Sequence, residues 1–171
     1  MQRKSFSKMQ CPVARSLEEV GEGWSFLILR DVFIGVRRFQ DLEVRLGISA
    51  STLTRRLSQL CRHGLLRAHA YEQRPRRYEY SLTEKGEDLL HVLVALGAWG
   101  NRWFTQAIVP VNAHSGARIE PVLMDRVTGR ELRAGDVALA AGPEASPKMR
   151  SFLDPPLVLG RKAARISLEA R

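Results

Sequence analysis

Apolar residues recur at helical spacing through the first two-thirds of the chain. Val13, Leu17 and Val20 share one face of a stretch that opens at Pro12, whose missing N–H suits a first helical turn; Gly21 and Gly23 end it. A second helix is predicted from Trp24 to just before Gly35, with Trp24, Leu27, Ile28 and Val32 inward. It is apolar nearly all round, as a buried central helix would be. A third, short helix covers Phe39 to Leu46, with Leu42 and Leu46 as core positions. Gly47 then offers the left-handed backbone of a sharp helix end. Ser49 is a good N-cap for a fourth helix, Ala50 to about His63, with Leu53, Leu57 and Leu60 on one stripe. After Gly64 the pattern allows two strands, Leu65–Ala70 and Arg77–Leu82, around a charged turn from Tyr71 to Arg76. Thr83 caps a long final helix reaching about Gln106, with Glu84 and Glu87 near its positive end.

Beyond Pro110 the texture changes to Gly, Pro, Ala and short alternating runs. Ala117–Met124 and Glu131–Leu139 read as strands joined by a turn over Asp125–Gly129. Four zones follow: a basic arm (1–10), a main domain (11–108), a small β-hairpin extension (109–142) and a Pro-containing basic tail (143–171). No internal repeat is evident. The fold class is mainly α with small β-hairpins (α+β).

A short helix, a tight glycine turn, a capped helix and a hairpin, in that order, spell a helix-turn-helix followed by a wing. At about 100° per residue, Ser51, Arg55, Ser58 and Arg62 point away from the leucine stripe, with Thr52 and Gln59 on its flanks. The N-terminal half of such a helix enters the major groove. Ser51, Thr52 and Arg55 are therefore the candidate base readers, Arg55 for a guanine edge. Ser49 reads first as a cap and second as a phosphate contact. Arg56 lies on the shoulder, suited to a phosphate or to an intramolecular ion pair. Gln59, Arg38 and the wing residues Arg74, Arg76 and Arg77 complete the candidate DNA surface.

Charge supports that surface. The 171-residue chain carries a net +9 and a pI near 10.4. Eleven arginines and four acids between Arg30 and Tyr78 leave +7 of it on this one stretch. No lysine lies there, and the planar arginine fork suits phosphates and base edges. Aromatic stacking platforms for single-stranded RNA are lacking. No apolar run is long enough to span a bilayer, and the N-terminus has no signal-peptide core, so no membrane partner is expected. Two cysteines, Cys11 and Cys61, make no disulfide framework and fit a reducing cytoplasm, with the protein associated with the nucleoid.

From Cys11 to Phe104 the chain resembles the HxlR-type, MarR-like family of bacterial winged helix-turn-helix transcriptional regulators. The resemblance rests on Cys11-Pro12, Gly21-Glu22-Gly23-Trp24, Leu27-Ile28-Leu29-Arg30, Arg37-Arg38-Phe39-Gln40-Asp41-Leu42 and Ile48-Ser49. It continues through Leu53-Thr54-Arg55-Arg56-Leu57, His63-Gly64-Leu65, Pro75-Arg76-Arg77-Tyr78-Glu79-Tyr80 and Leu82-Thr83-Glu84-Lys85-Gly86. It implies a homodimer on a palindromic operator, with the terminal helices in the dimer contact. Two positions depart: Gly23 where lysine is common, and Tyr78 where an aliphatic residue is usual. Longer relatives carry a cysteine-bearing knuckle in the extension; Met124–Gly129 has no cysteine, so zinc does not carry over.

The final helix has more apolar residues than one stripe on so small a core needs. Val13, Leu17, Leu93, Leu96, Trp99 and Trp103 are the candidate dimer contacts, beside the plainer reading that they cap the monomer core. Cys11 stands at a helix N-terminus, which favours thiolate. The resemblance implies an oxidant or electrophile sensor there; a small packed residue near the dimer contact is the equal alternative, and a small-molecule effector is a further one. Cys61 reads as core. His63, His69, His91 and His114 lack ligand spacing, so neither metal nor cofactor is expected. No phosphate loop, nucleophile elbow or carboxylate pair points to an enzyme. A non-specific architectural DNA binder is the rival, separable by sequence preference.

Overall fold

The computed structural model describes residues 5–74 and 76–160. The chain divides into two compact units, one ending at Ile119 and one beginning at Glu120. The first unit holds α1 (Pro12–Val20), α2 (Gly23–Phe33), α3 (Phe39–Leu46) and α4 (Ala50–Arg62). The hairpin β1 (Leu66–Gln73) and β2 (Arg76–Leu82) follows, then α5 (Glu84–Glu87) and α6 (Leu90–Trp103). The core forms where α2, α3 and α4 meet the base of the hairpin: Ile28, Leu29, Leu42, Leu53, Leu57, Leu60 and Leu65 are almost wholly buried. Trp24 is an exception to its expected place. It sits in the first turn of α2, before the helix reaches the core, and stays 37% exposed.

One buried charge ties two helices together. Asp31 in α2 has no exposure. Its Oδ1 accepts from Arg30 Nε at 2.8 Å, and Oδ2 lies 3.2 Å from Arg45 Nε of α3, off the line of a hydrogen bond. Arg30 and Arg45 are thereby committed inside the protein.

The wing is longer than alternation predicted. Pairing runs from Leu66↔Leu82 to Gln73↔Arg76, with a bulge between Ala70 and Glu72 that absorbs Tyr71. Arg38 adds a bridge to Glu79, and Tyr80 N–H donates to Arg37 O. The hairpin is thus anchored to the entrance of α3.

The expected single final helix is two. Thr83 does cap its start, accepting from Gly86 N–H at 3.1 Å. The turn then tightens at Leu89, whose N–H reaches Gly86 O, and this swings Leu89 onto the core. α6 ends at Trp103, where Phe104 leaves helical geometry and sets its ring edge-on to Trp99 at 5.3 Å.

The expected strands of the extension are mostly absent. Ala117–Met124 contributes two isolated bridges, Val111↔Arg118 and Met124↔Glu131, because Pro121 between them has no N–H to donate. Glu131–Leu139 is broken at Gly135, φ 100°, where Asp136 N–H turns back to Arg133 O. In the second unit β3 (Ala138–Leu139) pairs instead with β4 (Leu157–Val158), and α7 (Pro147–Phe152) intervenes, capped by Ser146. That part of the expected basic tail is therefore structured; Arg161, Lys162, Arg165 and Arg171 lie outside the described residues, as do Arg3 and Lys4 of the arm.

Two short turns share one design. In Asn112–Gly116 and Asp125–Gly129 the glycine N–H returns to the carbonyl of the Asn or Asp at 2.8 Å. The Asn or Asp side chain accepts from the backbone two residues on. The Thr128 hydroxyl also donates to Asp125, which holds that carboxylate below its usual range. Among the described residues no helix is long and apolar enough to cross a membrane.

Gly86 tests the fit between α5 and the hairpin base. A Cβ there would stand 2.2 Å from Leu65 O, backbone that the Thr83 N–H also grips. Gly86→Ala is expected to destabilise the protein by about 1–3 kcal/mol, read as a lower urea midpoint at unchanged slope.

Candidate nucleic-acid interface

The interface begins with the rotation of α4. Leu53, Leu57 and Leu60 are at most 1% exposed, so the opposite side must face solvent. Ser51, Thr54, Arg55, Ser58 and Arg62 form that exposed stripe. Ser49 sits just before it as the N-cap, accepting from Thr52 N–H at 3.3 Å. Gly47, φ 64°, closes α3 in the left-handed conformation and makes the tight turn between the two helices.

The structure divides the sequence-predicted residues by what they already hold. Ser51 and Arg55 are exposed at the N-terminal half of α4; the Ser51 hydroxyl lies 3.2 Å from that of Ser49, whereas Arg55 enters no ion pair among the described residues. Thr52 is half-buried; its Oγ1 accepts from the Ser49 hydroxyl at 3.0 Å, so it belongs to the cap. Arg56 is only 7% exposed. One of its nitrogens, Nη2, meets Glu22 Oε2 at 2.8 Å, and Nη1 donates to Gln59 Oε1 at 2.8 Å. Arg56 is thereby paired within the protein, and the Gln59 amide oxygen is turned towards it. Of the two roles open to Arg56 in the sequence, the ion pair is the one it fills, because Glu22 at the start of α2 comes within reach of the shoulder of α4. His63 Nδ1 approaches Glu19 O at 3.4 Å, and Lys85 pairs with Glu19. The end of α1 is thus fastened to both α4 and α5.

On the wing side, Arg38 pairs with Glu79 at 2.8 Å and lies over the Tyr71 ring. The Glu79 hydrogen bond pushes its pKa up. Arg77 pairs with Glu72 at 3.3 Å. Arg76 lies 5.6 Å over the Tyr78 ring, so the unusual tyrosine acts as its support. Arg74 is exposed at the wing tip. Among the described residues Arg37, Arg55, Arg62, Arg67, Arg74 and Arg76 enter no ion pair. Ser58 and Arg62 lie on the outward stripe that periodicity marks, though not among the candidate contacts; Thr54, Arg37 and Arg67 were outside the sequence-predicted set altogether.

The rest of the unit holds two thiols and one cleft. Cys11 is the N-cap of α1 and half-buried. Burial pushes the Cys61 thiol up. A polar cleft of about 230 Å³ is lined by Ser5, Glu18, Glu19, Glu22, Ser25, Gln59 and His63. Among the described residues no three His, Cys, Asp or Glu side chains gather to hold a metal ion.

An exposed capped helix, a tight turn before it and a cationic hairpin beside it define a winged helix-turn-helix of the DNA-binding kind. Residues 19–108 match the family model described as HxlR-like helix-turn-helix. The chain belongs to that family of transcriptional regulators. It is 40% identical over 143 residues to Rv3095 of Mycobacterium tuberculosis, named an uncharacterized HTH-type transcriptional regulator, covering 81% of this chain and 90% of that one. Among solved structures it is similar to PA1374 of Pseudomonas aeruginosa, a candidate transcription factor by name. Identity there is 44% and the TM-score 0.63, over 84% of this chain and all of that one. PA1607, likewise named as a candidate transcription factor, is 34% identical with a TM-score of 0.74, over 81% of this chain and all of that one.

The two neighbouring arginines of α4 separate by stability. Arg56→Met removes a charged, largely buried pair and is expected to lower unfolding free energy by about 1–3 kcal/mol. Arg55→Ala changes an exposed residue and is expected to stay within about 0.5 kcal/mol of the parent. Equal effects in urea denaturation would contradict this division of labour.

Proposed function

We propose that the protein is a sequence-specific repressor that binds a palindromic, double-stranded operator as a homodimer in the cytoplasm, at the nucleoid. The observation that carries the reading is the outward stripe of α4, with Arg55 exposed and uncommitted at the end that enters a major groove. Arg74 and Arg76 would meet phosphates or the adjoining minor groove.

The homodimer is favoured by what one protomer leaves in water. α6 has no buried residue, and Leu96, Trp99 and Trp103 are 47%, 55% and 62% exposed. Leu93 beside them is half-buried, and α1 exposes Val13 and Leu17. Apolar area of this size marks an interface. A twofold pair would set two copies of α4 about 34 Å apart, one helical turn of DNA.

Duplex DNA from beside the protein's own gene is the first test, titrated by fluorescence anisotropy against scrambled DNA. The native sequence is expected to bind at least about 10³-fold more tightly, at two chains per duplex, and Arg55→Ala to lose about tenfold or more of that preference. Equal affinity for both duplexes would favour a non-specific architectural binder. One chain per duplex would remove the dimer.

Control by oxidants through Cys11 is the accompanying proposal. Cys11 is only half-buried at the N-cap of α1, whereas burial pushes the Cys61 thiol up. With limiting peroxide, peptide mass spectrometry is expected to find Cys11 modified before Cys61, with operator affinity changed. An unmodified Cys11, or oxidised protein that binds as before, would leave a small-molecule effector as the alternative.

A further inference from the structure

We propose that Thr54 is a specificity-determining residue that reads the C5-methyl group of a thymine next to the guanine taken by Arg55; this rests on the proposed reading of α4 as the base-reading helix. The first support is elimination. With Thr52 drawn into the cap and Gln59 turned to Arg56, Arg55 is the only long side chain on the exposed face of the first two turns. Everything else outward there is short: Ala50, Ser51, Thr54 and then Ser58. Short side chains let a helix backbone approach base edges closely, and each half-site then offers α4 one bidentate purine contact.

The second support is the residue itself. Thr54 is exposed, in the middle of a helix where threonine is a poor helix former. It neither caps nor packs, and among the described residues its hydroxyl makes no hydrogen bond. Branching at Cβ leaves the side chain two main rotamers in a helix, so its methyl is held to few directions. Ala50 lies four residues before it on the same face, which places a second methyl beside the first. In the major groove thymine alone among the four bases presents a methyl, and contact with an apolar side chain is how it is recognised. Arginine at position 55 reads guanine O6 and N7 by the same code. The half-site contacted by α4 should therefore hold a guanine and an adjoining thymine.

The test uses the full chain and an operator selected from a random duplex pool. Each thymine is replaced in turn by uracil, which lacks only the methyl, and each guanine by 7-deazaguanine, which lacks the N7 acceptor. For the parent protein, one uracil position per half-site is expected to weaken binding about three- to fourfold, the worth of one buried methyl. Thr54→Ser, which keeps the hydroxyl, is expected to abolish that sensitivity, and Thr54→Val, which keeps the methyl, to retain it. The 7-deazaguanine effect should persist in both and vanish in Arg55→Ala. An enriched operator that tolerates uracil everywhere, or a Thr54→Ser protein that still senses it, overturns this assignment alone. A pool that yields no enriched sequence overturns the regulator reading and this assignment with it.

Discussion

The leucine stripe of α4 is the constraint from which the rest of the interface follows. Burying Leu53, Leu57 and Leu60 against α2, α3 and the hairpin leaves the helix no freedom to roll about its axis. An α-helix advances about 100° per residue, so a fixed inner face dictates which residues stand outside. Apolar packing, which has no sequence preference for DNA, thereby selects which side chains of α4 face outward. The Arg56–Glu22 pair acts on the same helix from its shoulder. It holds α4 against the α1–α2 junction and removes a cation from the outer surface in doing so.

Much of the fold was legible because its signals are local. Ser49 and Thr83 announced helix starts through their own side chains, and both make the capping bonds. Gly47 announced the turn through its positive φ. Periodicity placed the inner stripe of α4 correctly, and with it Ser51, Arg55, Ser58 and Arg62. What stayed hidden depends on partners distant in the chain. Nothing near Arg56 reveals that Glu22, 34 residues earlier, comes to meet it, and Gln59 follows Arg56 inward. Arg38 meets Glu79 across 41 residues. The break at Leu89 is equally invisible, since every residue around it is compatible with helix; the pull comes from the core beneath.

In the extension the expected turn over Asp125–Gly129 is present, closed by the Met124↔Glu131 bridge and by Leu132 N–H to Leu123 O, but the long strands on either side of it are not. Alternation of apolar and polar residues says that a segment can form a strand but not that a partner exists. Pro121 and Gly135 interrupt the two candidates, and pairing falls to Ala138–Leu139 and Leu157–Val158 instead. The shared build of Asn112–Gly116 and Asp125–Gly129 was also missed, because five residues are too few to register as a repeat. Rv3095, PA1374 and PA1607 each align over at least 81% of this chain, well beyond the winged helix, so the extension is common to a subset of relatives and not an addition peculiar to this chain.

The arginines of the winged helix carry a consequence for how binding responds to its ionic surroundings. Of the eleven between Arg30 and Tyr78, five, namely Arg30, Arg38, Arg45, Arg56 and Arg77, already face carboxylates of their own protein. Only a cation that neutralises a phosphate displaces a condensed counterion from the duplex. The remaining six set a ceiling of about −5 per protomer for the slope of log affinity against log salt from this surface. A count of all eleven arginines would put it nearly twice as steep. Internal pairing therefore makes DNA binding through this surface less responsive to cellular ion concentration than its arginine count implies.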